Sequence, residues 1–312
     1  MKDKGNIIWL IIGALVIFGM LLLICWMSVM RAANSDWGSD WFMSMKSAGL
    51  RNTITLSGDQ VEELELTYSS QNIAFFTSDS EDIIIKEYLS SDREEAKATV
   101  SLNGGRAVIT GGSGINFGMF RLNMGGWERI EVYLPDKLFQ RVSVLVSSGN
   151  VTAQEKFVLK CRNLLLQTTS GNIRWEGSIW AEETGFQVTS GNITLKDIEG
   201  VVNVEASSGN INLDRMSGNG TLEAKSGNIR VIAEDITGDL FLETSSGNIK
   251  LELPRELQFH FMANTSSGNI KTDFDNNLSY NDKGNQAMGE VGENPTIQID
   301  MRAQSGNVRA VY

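Results

Sequence analysis

Beyond residue 50 the chain alternates apolar and polar residues with a period of two, as in Asn-Thr-Ile-Thr-Leu at 52–56, Glu-Leu-Glu-Leu-Thr at 63–67, Ala-Thr-Val-Ser-Leu at 98–102 and Arg-Ile-Glu-Val-Tyr at 129–133. Such alternation predicts short strands with one buried face. From residue 146 the alternation becomes a repeat. Ser-Gly-Asn occurs with its glycine at 149, 171, 191, 209, 227, 247, 268 and 306, at intervals of 22, 20, 18, 18, 20, 21 and 38 residues, and once more at 218. Three residues after each serine stands Val151, Ile173, Ile193, Ile211, Ile229, Ile249, Ile270 or Val308, and four before it Val144, Leu166, Phe186, Val204, Leu222, Leu242, Ala263 or Met301. Gly and Asn both tolerate the backbone conformations of a corner. A unit of about 20 residues cannot bury its apolar side alone, and stacking successive units gives a continuous core.

The predicted fold is therefore all-β, a single parallel β-solenoid of about 20 residues per coil over 50–312. Residues 50–145 form its less regular opening coils and 146–312 its Ser-Gly-Asn coils. Coils stack about 4.8 Å apart, the interstrand distance. Asn150, Asn172, Asn192, Asn210, Asn228, Asn248, Asn269 and Asn307 then form one corner ladder, each side chain bonding the next. Gly218, midway between two copies, marks an opposite corner. The 38-residue interval implies a turn without the motif, with 273–295, rich in Asn, Asp and Gly, as a surface insertion.

The other end of the chain is different. Residues 7–30 are an uncharged apolar run, IIWLIIGALVIFGMLLLICWMSVM, which as a helix spans roughly 36 Å and is long enough to cross a bilayer. Lys2 and Lys4 precede it and Arg31 follows, which places residues 1–6 in the cytoplasm and the rest outside. The run exceeds the 7–15 residues of a signal-peptide core. It reads as an uncleaved single-pass transmembrane helix whose partner is the lipid bilayer, making this a cell-membrane protein. Residues 31–49 are a juxtamembrane linker, where Trp37, Trp41 and Phe42 meet either the lipid interface or the first strands.

Composition narrows the chemistry. One His (His260) and two Cys cannot assemble a zinc site from those residue types, and only Cys161 lies beyond the apolar run, so no intrachain disulfide is available there. A net charge of −11, from 38 acidic against 27 basic residues, argues against nucleic acid as a partner. Eight equivalent Ser-Gly-Asn copies with one His offer no nucleophile–base pair. Asp197, Asp214 and Asp235 fall at different offsets from the motif, so they do not align into the carboxylate site of a polysaccharide-active β-helix. The expectation is a non-enzyme with no cofactor.

One outward row stands out. Four residues after each serine come Thr152, Arg174, Thr194, Asn212, Arg230, Lys250, Lys271 and Arg309, the last four all basic. Cations stacked at about 4.8 Å repel by nearly 1 kcal/mol even in water, so they require acidic neighbours or an anionic ligand. Glu223 and Glu243 could neutralise Arg230 and Lys250 and leave a solvated paired surface. Otherwise Arg174, Arg230, Lys250, Lys271 and Arg309 form a stripe for an anionic envelope polymer, such as teichoic acid, or for lipid headgroups.

Ser-Ser-Gly-Asn-Ile-Asn-Leu at 207–213, Ser-Ser-Gly-Asn-Ile-Lys-Leu at 245–251, Glu-Val-Tyr-Leu-Pro at 131–135 leading into Val-Ser-Ser-Gly-Asn at 146–150, and a closing Asn-Pro-Thr-Ile before the last motif resemble the bacterial "putative adhesin" family, including LiaG-like envelope proteins. The resemblance covers about 50–312. It implies a membrane-associated, outward-facing β-solenoid, in some members encoded near envelope-stress signalling genes, and supplies no catalytic residues. Binding of an envelope polymer, regulation of a membrane sensor protein, and self-association through exposed strand edges all remain compatible with it.

Overall fold

The computed structural model describes residues 48–112 and 128–312. The apolar run at 7–30, read above as a membrane span, and all but the end of the linker lie outside the described residues. Among the described residues no helix is long and apolar enough to cross a membrane.

The opening part holds strands β1 (Gly49–Ser57), β2 (Glu63–Tyr68), β3 (Asn72–Thr77), β4 (Asp82–Leu89), β5 (Thr99–Asn103), β6 (Arg106–Thr110) and β7 (Arg129–Leu134). The stack proper follows: β8 (Leu138–Val146), β9 (Val151–Ala153), β10 (Val158–Ser170), β11 (Ile173–Ser190), β12 (Ile193–Ser208), β13 (Ile211–Ser226) and β14 (Ile229–Ser246). It ends with β15 (Ile249–Glu252), β16 (Phe259–Ser267), β17 (Ile270–Thr272), β18 (Leu278–Tyr280), β19 (Gln286–Val291), β20 (Ile297–Ser305) and β21 (Val308–Val311).

From β8 to β15 every pairing is parallel, and each motif lies on the next: Ile173 opposite Ile193, Ile193 opposite Ile211, Ile211 opposite Ile229, Ile229 opposite Ile249. These residues, with the Val144–Leu166–Phe186–Val204–Leu222–Leu242 row on the other inner face, are buried and form one core. Within it Trp175 packs on Phe75 and Phe157, with ring centroids 5.3 and 5.5 Å away. The long strands bend where register slips, as between Trp175 and Ser178, so one strand wraps more than one side of the coil.

The corner explains the tripeptide. From Gly171 onward the glycine N–H donates to the serine carbonyl of the next coil, as Gly209 does to Ser226, and the following Ile N–H to the next asparagine carbonyl, so the backbone ladder carries on through the turn. A β-carbon on Gly209 would overlap the carbonyl oxygen of Gly191 beneath it, and φ there is 146°. The asparagine side chain fills the space outside: Asn210 Oδ1 accepts both the backbone N–H and the Nδ2 of Asn228, at 2.9 and 3.1 Å. Thr168, Thr244 and Thr265, buried beside the corner, each donate a hydroxyl to a glycine carbonyl of the adjacent coil. Gly218 does mark another corner, stacked on Gly200.

Three expectations need correction. First, the sheet is not parallel throughout. Pairs β1–β4, β4–β7 and β5–β6 at one end and β16–β19 and β18–β19 at the other are antiparallel. Alternation is the same for both pairings, and Gly104-Gly105, both at positive φ, make the tight β5–β6 turn that only antiparallel strands can use.

Second, the 38-residue interval holds no motif-free coil. Residues 273–296 run through the antiparallel β18–β19 pair, which covers β16, and return. Third, the chain then reverses its order: β20 lies between β14 and β16, and β21 between β15 and β17. The asparagine ladder therefore runs 150, 172, 192, 210, 228, 248, 307, 269. It also begins one rung early, at Asn72, whose Oδ1 accepts from Asn150.

The opening end is locked by a buried carboxylate. Glu87 accepts from Asn52 Nδ2 (2.7 Å), the Ala98 amide (2.9 Å) and Tyr68 Oη (3.0 Å), tying β1, β2 and β4 together. Burial, then the charge of Glu87, holds the Tyr68 hydroxyl protonated far above its ordinary range. In the stack, burial pushes the Cys161 thiol up to about 12. At pH 8 its thiolate fraction is then roughly a thousandfold below that of a free thiol. The Cys161 peptide is expected to take up iodoacetamide only after denaturation; rapid native labelling, read by mass spectrometry, would contradict this.

Candidate functional site

Residues four beyond each motif serine project outward from the strands that follow the asparagine corner. Register places them in the order Thr152, Arg174, Thr194, Asn212, Arg230, Lys250, Arg309, Lys271. Four cations thus occupy four successive rungs, as the sequence predicts, but Arg309 sits between Lys250 and Lys271. Arg174 stands apart, three rungs before Arg230.

Two rows flank the ladder. On one side runs the asparagine corner. On the other are the residues two further along the chain: Glu176, Lys196, Asp214, Ile232, Glu252, Val311 and Asp273. This second row decides the electrostatics. Arg174 pairs with Glu176 on its own strand. Arg230 Nη1 reaches Asp214 Oδ1 at 2.8 Å and Asn212 Oδ1 at 3.0 Å on the preceding rung. Lys250 is 3.6 Å from Glu252, a loose contact. The corresponding neighbour of Arg309 is Val311, which is buried and carries no charge. Among the described residues neither Arg309 nor Lys271 makes an ion pair, and both side chains are exposed.

The pairing expected of Glu223 and Glu243 is not formed. They belong to the strand segments before the glycine corner, on a different face, where Glu205, Glu223 and Glu243 stack and Arg302 follows. Arg302 itself binds Asp300, buried beneath it. A shallow depression of about 190 Å³ on that face, opened by the missing side chain of Gly185, is lined by Gln187, Asn203, Glu205 and Glu223 and offers no cation. The sequence signal that was missed is a carboxylate two beyond a ladder position, on the same rung (Glu176, Glu252) or on the preceding one (Asp214); Asp273, two beyond Lys271, instead accepts the Tyr312 amide.

Asp197, Asp214 and Asp235 stay apart: Asp197 meets Ser178 and Arg215, and Asp214 meets Arg230. No group of three potential metal ligands occurs among the described residues. His260 is half exposed, with Nδ1 3.4 Å from Glu290.

The family model described as Toastrack DUF4097 matches residues 61–310, from the start of β2 into β21. The chain belongs to this family. The Toastrack region therefore includes both the asparagine ladder and the reversed final rungs, and excludes the apolar run at 7–30. Solved structures that the chain matches include a "putative adhesin" from Bacteroides fragilis, 13% identical, covering 83% of this chain and 96% of that one with a TM-score of 0.47. A "putative cell adhesion protein" from Clostridium sporogenes is 10% identical, with coverage of 83% and 97% and a TM-score of 0.27. A "putative adhesin" from Parabacteroides distasonis is 9% identical, with coverage of 84% and 98% and a TM-score of 0.32. No curated protein matches the chain.

Proposed function

We propose that this Toastrack protein is a membrane-anchored, extracytoplasmic binding protein of the bacterial envelope, and that the Arg230–Lys250–Arg309–Lys271 ladder contacts an anionic polymer of the teichoic-acid class. The apolar run at 7–30 supports the anchoring, and the lysines before it support the orientation. One observation carries the ligand class. In a chain with a net charge of −11, Arg309 and Lys271 stand on adjacent rungs, exposed, with no carboxylate in contact. Side chains so placed repel one another, and an anion bridging them removes the repulsion and adds charge-assisted hydrogen bonds.

The flat, periodic surface suits a repeating ligand better than a small molecule, because each rung presents the same geometry. Binding by such a ladder is electrostatic and weakens steeply with salt. Replacing Lys250, Arg309 and Lys271 together by Gln is expected to lower affinity for purified teichoic acid at least tenfold, since three charge-assisted contacts of about 1.5–3 kcal/mol each are lost. Replacing Arg174, already paired with Glu176, should change it less than about threefold. Equal affinities of the triple variant and the parent in a sedimentation assay would reject the ladder as the site.

A further inference from the structure

Residues 297–311 occupy a place the chain has already passed. After β15 the backbone leaves the stack, runs through β16 to β19, and only then inserts β20 and β21 between β14–β15 and β16–β17. Among the described residues, no strand within 253–291 pairs with β14 or β15. The backbone bonds that hold this region to the stack all use the C-terminal segment: Gly247 N–H to Ser305, Leu253 N–H to Val311, Gly306 N–H to Ser267 and Asp273 N–H to Ala310. The last rung is thus a wedge, and 253–291 stays docked only while it is seated. Its lead-in is pinned by the side-chain oxygen of Gln258, which accepts the amides of Glu293 and Asn294.

The same wedge completes the cation ladder. Lys250 is on β15, Arg309 on β21 and Lys271 on β17, three separate passes of the chain that meet only when β21 is in place. Seating β21 therefore places Arg309 between two lysines, where among the described residues it makes no ion pair and Val311 on its own strand offers no charge. Electrostatics oppose closure where apolar burial of Ile299, Met301, Val308 and Ala310 favours it.

We infer that an anionic polymer bound at Lys250, Arg309 and Lys271 clamps the C-terminal rung, so that ligand binding and seating of residues 297–311 are coupled. This rests on the anion-binding reading above. A ligand that needs all three cations binds only the seated form and must stabilise it reciprocally, typically by 5–150-fold. Without ligand, β16, β17, β19, β20 and β21 open as one cooperative unit at lower cost than the central coils.

Hydrogen exchange on the full-length chain, at low ionic strength with inorganic polyphosphate as the probe, tests this. In the free protein, amides of 259–272, 286–291 and 297–311 are expected to exchange together, about tenfold or more faster than those of β11–β13. Polyphosphate should slow this group at least about fivefold and leave β11–β13 unchanged. Arg309→Gln should slow the group several-fold without probe, because repulsion is relieved, and abolish the response; Arg309→Lys should keep the parent behaviour. A purely structural role for Arg309 predicts the reverse sign for Arg309→Gln. The clamp is overturned if the group exchanges in step with β11–β13, or if polyphosphate binds without slowing it; the latter leaves anion binding intact. Absence of any polyphosphate binding overturns both.

Discussion

Gly209→Ala is expected to destabilise the protein by at least about 3 kcal/mol, although it adds one methyl group at a corner open to solvent on its outer side. The new β-carbon would collide with the Gly191 carbonyl, a backbone atom tied into the ladder by the Gly191 N–H to Ser208 bond. Relief requires these two coils to separate, and separation breaks the bonds that the Asn210 amide N–H and Nδ2 donate to Asn192 Oδ1. The backbone at 209, with φ of 146°, adds strain that L side chains rarely tolerate. Gly104→Ala is the matched control. Its φ of 56° lies in the left-handed region, but nothing lies within 4 Å of the added carbon, so the cost should be about 1–2 kcal/mol. Chemical denaturation of the two variants measures the difference; equal midpoints would mean that the corner can part at little cost.

Trp175→Ala is expected to cost about 3–5 kcal/mol, the range for truncating a large buried aromatic. The ring has no exposed surface and joins two parts of the molecule, touching Phe75 of the opening coil and Phe157 of the stack. Removing it leaves a cavity at the point where β3, β9 and β11 share a core. Trp175→Phe should be much milder. The indole Nε1 is buried without a hydrogen-bond partner, and phenylalanine loses volume but also removes that unsatisfied donor. A Phe variant as unstable as the Ala variant, by thermal unfolding, would show that the indole N–H has a partner.

Much of the stack is legible in the sequence because every rung meets the same neighbours. Gly209, Asn210 and Ile211 have one environment at each repeat, so one physical argument serves all the copies. The same uniformity hides the order of the last rungs. Lys250 fits equally well beneath Lys271 or Arg309, since both follow Ser-Gly-Asn at the same offset, and nothing local distinguishes the two. Asn72 escaped for a related reason. Its corner carries Gln71 where later ones carry glycine, and the Gln71 side chain turns to Glu128. The Glu87 lock is non-local, built from residues 35 positions upstream and 11 downstream. The cation row could be counted from the sequence, but its neutralisation depended on diagonal neighbours such as Asp214 and Arg230, 16 residues apart.

The reversed final rungs also bear on how the chain matures. A solenoid laid down in sequence order can fold as it emerges, each coil templated by the one before. Here that succession stops at β15. Residues 253–291, with Phe259, Phe261 and Phe274 among them, must wait with their apolar side uncovered until residues 297–311 are in place. Until 297–311 is seated, the chain therefore carries an unburied aromatic cluster, an apolar surface of the kind that invites association with other chains.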